Sequence, residues 1–266
     1  MITSTSNDAI KRLVRLRDRR TRDDQGTFLI EGFRELSRAV EAGVVIEALY
    51  VCPELFLGSN EPALIQRCIE AGARIVEVAE APFRKASYRD RPEGLLAVAR
   101  QFGNRVEDID LSGEPLVLVV EGIEKPGNLG TMLRTADAAG CRCVIVCDPT
   151  TDPFNPNVVR ASLGTLFTVP LAVTTTARAL DVLAAAGVST VATTPDEDAT
   201  IYDVELSGAV AVVVGSEQYG LTSTWIEGAT VRARIPMAGE ADSLNAAMAA
   251  GITLFEAVRR RRSPTT

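Results

Sequence analysis

Residues 115–134 read Pro-Leu-Val-Leu-Val-Val-Glu-Gly-Ile-Glu-Lys-Pro-Gly-Asn-Leu-Gly-Thr-Met-Leu-Arg. The unbroken apolar run at 116–120 is what a strand buried on both faces presents. A glycine-containing turn follows, and then Leu129, Met132, Leu133 and Ala136 recur at helical spacing until Gly140 ends the pattern. The alternation continues, with strands expected at 143–147, 167–173, 188–192, 210–214 and 231–235 and helical stretches between most of them. That order predicts an α/β fold with a largely parallel sheet covered on both faces. Ligands of such sheets collect beyond the carboxyl ends of the strands, which directs attention to the residues just after Val120, Val214 and Ile235.

Towards the N-terminus, residues 101–114 are polar and irregular, with Gly103, Asn104, Asp108, Asp110, Ser112 and Gly113, and read as a linker. Before it, strands are expected at 28–30, 46–51, 74–78 and 94–99, with helices at 34–42 and 62–71, the pattern of a smaller α/β domain. The expected organisation is therefore an N-terminal domain at 1–100, a linker at 101–114 and a second domain at 115–266.

Composition narrows the chemistry. The 266 residues include no His, which excludes Ser-His-Asp and Cys-His catalysis and any imidazole base or metal cage. The five cysteines, Cys52, Cys68, Cys141, Cys143 and Cys147, lack paired C-x-x-C spacing and read as packing residues; neither a disulfide framework nor a metal site is expected. No apolar run approaches the roughly 20 residues that cross a bilayer. The opening residues lack a charged and apolar leader pattern, and a cytoplasmic location is expected.

The net charge of −7 runs against a nucleic-acid partner, but its distribution does not. Lys11, Arg12, Arg15, Arg17, Arg19, Arg20 and Arg22 form a basic stripe with Asp18 as its single acid, either a solvated helix face or an RNA-contacting arm. The Arg cluster at 259–262 suits a helix C-terminus, where cations complement the dipole.

Three strand-end segments carry the candidate site. Residues 121–134 contain Gly122, Gly127 and Gly130 without the G-x-G-x-x-G order of a dinucleotide turn. Asn128 suits a helix N-cap, and Arg134 lies six residues on, where a surface salt bridge is the alternative to a functional role. Residues 214–222, Val-Gly-Ser-Glu-Gln-Tyr-Gly-Leu-Thr, mimic the start of a P-loop, but Leu221 occupies the place of its essential Lys. Gly215 and Gly220 still permit close backbone approach to a ligand, and Glu217 orients a neighbour or caps a helix. Residues 235–251 run from Ile235-Pro236-Met237 through a loop into a small-residue helix, with Ser243 as the expected N-cap and Asn245 near the first turn.

Together and in this order, the N-x-x-x-x-x-R pattern (Asn128, Arg134), the G-x-E-x-x-G-L pattern (Gly215, Glu217, Gly220, Leu221) and I-P-M followed by S-L-N (residues 235–237 and 243–245) resemble the three motifs of SpoU-type methyltransferases in the SPOUT class. Residues 154–164, Phe-Asn-Pro-Asn-Val-Val-Arg-Ala-Ser-Leu-Gly, also look like a stretch common in that family. The similarity spans about 115–260, and the N-terminal half resembles the L30e-like, ribosomal-protein-like RNA-binding domain often joined to it.

The resemblance implies an α/β-knot domain with a deep trefoil knot, S-adenosylmethionine as cofactor, a homodimer and methylation of a ribose 2′-hydroxyl in structured RNA, with large-subunit ribosomal RNA as the expected substrate. It implies cofactor contacts from Gly215, Glu217, Gly220, Ile235, Met237, Ser243, Leu244 and Asn245. It implies catalytic roles for Arg134, Asn128, Glu217, Ser243 and Asn245, and no metal. Under it, the basic stripe becomes the RNA-contacting surface. A tRNA ribose methyltransferase, a base methyltransferase, a non-catalytic RNA-binding protein and a nucleotide-binding α/β enzyme are the competing readings, and fold alone does not separate them.

Overall fold

The computed structural model describes residues 1–262. The chain divides into two compact units, one of residues 1–102 with 152–168 and the other of 103–151 with 169–262 among the described residues.

In the first unit the chain runs α1 (Asp8–Arg15), α2 (Arg19–Gln25), β1 (Thr27–Glu31), α3 (Phe33–Glu41), β2 (Ile46–Val51), α4 (Glu61–Glu70), β3 (Arg74–Glu77), α5 (Glu80–Ala86) and β4 (Leu95–Arg100). The sheet order is β1-β4-β2-β3. β4 is antiparallel to both its neighbours, whereas β2 and β3 are parallel, as the α4 crossover between them requires. Ile10, Leu13 and Leu16, spaced three apart among charged residues, place one face of the basic N-terminal segment in a core with Leu29, Phe83 and Leu96.

The second unit contains β5 (Leu116–Glu121), α6 (Pro126–Ala139) and β6 (Cys143–Cys147). After Thr151 the chain leaves it to form α7 (Pro156–Ser162) within the first unit, and it returns at Val169. β7 (Leu171–Thr174), α8 (Thr176–Ala185), β8 (Ser189–Thr193), β9 (Val210–Val214), α9 (Ser223–Gly228), β10 (Val231–Ala233) and α10 (Ala246–Arg262) follow. The sheet order is β10-β8-β9-β5-β6-β7, and every pairing in it is parallel. All six carboxyl ends therefore lie along one edge. The strands expected at 143–147 and 210–214 have those bounds in the fold, because strands buried on both faces announce themselves as unbroken apolar runs.

Three expectations are corrected. Residues 103–114 are not a free linker: Asn104 bridges Ala172, and Val106 and Leu111, 2% and 7% exposed, are buried in the core of the second unit. The strand expected at 167–173 shrinks to β7, because Phe167 ends a 3₁₀ turn that begins after Gly164, at φ 90°, and Pro170 offers no amide to a ladder. Residues 152–168, expected in the C-terminal domain, pack with the N-terminal unit, where Phe154 and Phe167 stack on Phe28 at centroid distances of 4.7 and 6.3 Å.

Candidate active site

Four loops meet at the carboxyl edge of the parallel sheet. Glu121, the buried last residue of β5, accepts hydrogen bonds from Thr222 N at 2.8 Å, Thr222 Oγ1 at 2.8 Å and Thr176 Oγ1 at 2.6 Å. One carboxylate thus pins the loop that follows β9 against the end of β5.

That loop, residues 215–221, is closed by reciprocal backbone bonds between Ser216 and Gly220, both 3.1 Å. A Cβ on Gly215 would fall 2.2 Å from the Gly220 carbonyl carbon, and Gly220 has φ 67°, so both positions require glycine to hold this turn. Both carboxylate oxygens of Glu217 are shielded from solvent without a hydrogen-bond partner among the described residues. Burying a polar group without a partner is costly, which marks Glu217 as a residue awaiting one.

The motif loop after β10 ends in a cap. Asn245 Oδ1 accepts from Ala247 N at 3.0 Å and Met248 N at 3.3 Å, so Asn245, rather than Ser243, is the N-cap of α10. Its Nδ2 donates to Asn128 Oδ1 at 3.2 Å, and Asn128 Nδ2 is buried without a partner. Asn128 is itself not a cap: α6 begins at Pro126, whose missing amide costs nothing at a first helical position, leaving Asn128 inside the first turn.

A pocket of about 520 Å³ opens between these loops. Gly215, Glu217, Gly220, Ile235, Met237, Ser243 and Leu244 all line it, so the structure brings together seven residues selected from two separate motifs. Asn128, Arg134 and Asn245 do not line it. Arg134 is exposed on α6 with no ion-pair or hydrogen-bond partner among the described residues. The pocket also takes Thr193, Thr194 and Pro195 from the end of β8, and Ala246 and Ala249 from α10. The strand-end rule would have found the β8 residues had it been applied to that strand as well.

The pocket has the size and mixture of apolar wall and few polar groups of a small-molecule site. Ile235, Met237 and Leu244 offer a surface for a flat ring, the loop backbone offers amides and carbonyls, and the unpartnered Glu217 carboxylate lies beside them. These features fit an adenosine-containing sulfonium cofactor. Among the described residues no cluster of His, Cys, Asp or Glu could hold a metal ion, and no helix is long and apolar enough to cross a membrane.

The basic stripe is divided by the fold. Arg22 is not an RNA contact: it is 1% exposed, with Nε and Nη2 on Asp152 Oδ2 at 2.8 and 2.5 Å and Nη1 on the carbonyls of Leu16 and Arg17. Nη2 of Arg17 donates to the carbonyls of Lys85, Ala86 and Ser87 and closes the C-terminal end of α5. Lys11, Arg12, Arg15, Arg19 and Arg20 are exposed, although Lys11 faces Asp8, Arg12 faces Gln25 and Glu47, Arg19 faces Asp23 and Arg20 faces Asp24.

Fold and site define an α/β protein whose strand-end loops build one small-molecule pocket, and comparison with known proteins gives the family. Residues 115–255 match the model of the SpoU rRNA Methylase family, and residues 7–97 match that of the MRM3-like substrate binding domain. The chain belongs to the SpoU rRNA methylase family. It is 29% identical to the Bacillus subtilis 23S rRNA (guanosine(2553)-2′-O)-methyltransferase RlmP, over 96% of this chain and 97% of that one. It is 32% identical to the Streptomyces viridochromogenes 23S rRNA (uridine(2479)-2′-O)-methyltransferase, over 94% of this chain and 88% of that one. A crystal structure of an AdoMet-bound rRNA methyltransferase from Sinorhizobium meliloti superimposes with a TM-score of 0.90, at 33% identity and with 98% of each chain covered.

Proposed function

We propose that this protein is an S-adenosylmethionine-dependent methyltransferase that modifies a ribose 2′-hydroxyl of large-subunit ribosomal RNA. The observation that carries this reading is the convergence of residues from the G-x-E-x-x-G-L and I-P-M…S-L-N segments on one pocket at the carboxyl edge of a parallel sheet. The relatives named for 2′-O-methylation of 23S rRNA, and the AdoMet-bound neighbour, supply the chemistry that such a pocket serves.

When bound, S-adenosylmethionine supplies an electrophilic methyl group on a positively charged sulfur. The residues of the chain supply position and charge. Gly215, Gly220, Ile235, Met237, Ser243, Leu244 and Glu217 hold the cofactor and exclude water from it, and Asn245 sets the loop that carries Ser243 and Leu244. Arg134 acts as a fixed cation. Its planar fork of donors suits holding a phosphate or the developing negative charge on the ribose oxygen. Asn128, Glu217, Ser243 and Asn245 orient that ensemble, and positioning of this kind supplies much of the acceleration in a displacement reaction.

Arg134 lies outside the pocket of its own chain, which supports a homodimer in which each Arg134 serves the partner's pocket. Met248 and Phe255, seven residues apart on α10 and 59% and 50% exposed, offer apolar surface for that association. The trefoil knot is the reading of the C-terminal segment, which lines the pocket together with the 215–221 loop and ends in α10, packed on α6, β5 and β9. The N-terminal unit is read as an L30e-like RNA-binding domain, with Lys11, Arg12, Arg15, Arg19 and Arg20 reaching phosphates, and the location as cytoplasmic. Isothermal titration with S-adenosylmethionine tests the pocket: the native protein takes up heat-detectable cofactor and Leu244→Asp loses it, whereas no binding by the native dimer contradicts the assignment.

A further inference from the structure

The basic stripe is not the only cationic surface of the N-terminal unit. Arg34 and Arg38 stand one turn apart on α3, on a face that leaves Leu36 and Ala39 to the core. The stem of Arg38 lies across Gly164, so closely that a Cβ there would meet its Cδ at 2.7 Å and its Cβ at 3.0 Å. Gly164, with φ 90°, follows the last turn of α7, where the carbonyl of Arg160 accepts the Leu163 amide at 3.2 Å. The excursion of residues 152–168 thus places exposed Arg160, four residues before Gly164 on α7, in the same compact unit as α3.

The side chains of these three arginines have no ion-pair or hydrogen-bond partner among the described residues, whereas those of Arg12, Arg67, Arg84, Arg89 and Arg100 of the same unit all face carboxylates. The one acid on the same face of α3, Glu41, is bound by Ser37 Oγ at 2.9 Å and Arg67 Nη1 at 3.3 Å and only after these by the charge of Arg38, which forms no ion pair with it. Guanidinium forks without ion pairs, carried on helices, are bidentate donors, the chemistry suited to phosphate oxygens. On a chain of net charge −7, arginines without ion pairs offer a polyanion a local positive surface.

We propose that Arg34, Arg38 and Arg160 form a phosphate-contacting surface for the backbone of the substrate RNA, an inference that rests on the RNA methyltransferase reading. In this arrangement α7 belongs to the RNA-binding surface, although it is encoded between strands of the methyltransferase half. The contacts are to phosphates, so they set affinity and register without reading bases.

The test is binding of protein-free 23S ribosomal RNA as a function of salt, with native dimer, the triple variant Arg34→Gln, Arg38→Gln, Arg160→Gln, and the charge-keeping triple Lys variant. Loss of three phosphate contacts flattens the slope of log K against log salt by about 2–3 and weakens binding at least about tenfold near physiological salt. The Lys variant recovers most of the slope, which separates charge from the packing of the Arg38 stem on Gly164. Cofactor affinity is the same in all three proteins. A Gln variant that keeps the native slope and affinity overturns the proposal while leaving the methyltransferase reading intact. Native protein that binds cofactor but not RNA instead removes the RNA reading, and the proposal with it.

Discussion

Asn245 Nδ2 donates to Asn128 Oδ1 at 3.2 Å, a bond between residues 117 positions apart that joins the N-cap of α10 to the first turn of α6. The same Asn245 side chain caps α10 through the Ala247 and Met248 amides. Its two ends therefore do different work. The oxygen stabilises the helix, and the nitrogen fixes the loop carrying Ser243 and Leu244 relative to the helix that carries Arg134.

Replacing Asn245 by Ala removes cap and link together. The expected cost is about 1 kcal/mol from the cap, read from urea unfolding, with weaker cofactor binding. Asn245→Asp keeps the capping oxygen and loses the donor to Asn128, so it retains most of the stability while still impairing turnover. Equal effects of Ala and Asp on stability would remove the capping role.

Arg134→Ala is expected to lower kcat by about 10²–10³-fold, the range for loss of one charge-stabilising group, and to leave cofactor affinity near native because Arg134 does not line the pocket. Arg134→Lys retains the charge without the planar fork and should recover part of the rate. Single-turnover kinetics beside cofactor titration separates the two quantities.

Breaking the Arg22–Asp152 ion pair should destabilise strongly. Both side chains are buried, and removing one partner leaves the other charge uncompensated, a loss of about 3–5 kcal/mol for Arg22→Met. Replacing both residues by apolar ones of similar volume should cost less than Arg22→Met alone. Chemical unfolding of the two variants and the native protein decides this, and an additive double variant contradicts the coupling.

Glu256 supplies a pH dependence. Hydrogen bonds from Arg259, joined by those from Arg260, outweigh the opposing effect of burial and hold its carboxyl down to about 2 from an ordinary 4.5. A depressed acid contributes stability that is complete above its unfolded value and is lost as pH falls through the folded one. The unfolding midpoint of the native protein should therefore drop between about pH 4.5 and 2, more steeply than that of Glu256→Gln. Parallel curves would remove Glu256 as a source of the acid sensitivity.

Much of the sheet was legible because its central strands are buried on both faces and read as continuous apolar runs, as at residues 116–120 and 210–214. Part of the candidate pocket was legible because the strand-end rule pointed to Gly215 and the segment after Ile235, while Leu244 came only from the resemblance to SpoU methyltransferases; all three line the pocket. What escaped depends on partners distant in sequence. Arg22 looks like surface until Asp152, 130 residues away, is seen beside it. Val106 and Leu111 sit in a polar stretch whose composition conceals two core anchors. Residues 152–168 join the first unit through Asp152, Phe154 and Phe167, none of which declares its partner locally. Ser243 was the better cap by position, but Asn245 had the reach to serve α10 and Asn128 at once.

The most direct measurement is transfer of labelled methyl from S-adenosylmethionine to ribosomal RNA by the native protein and by Arg134→Ala, with the modified nucleotide recovered after nuclease digestion. Label in large-subunit RNA as a 2′-O-methyl nucleotide, strongly reduced in Arg134→Ala, is the predicted result. Label on a base, label confined to transfer RNA, or no transfer to either free RNA or ribosomal particles by protein that binds the cofactor would contradict it.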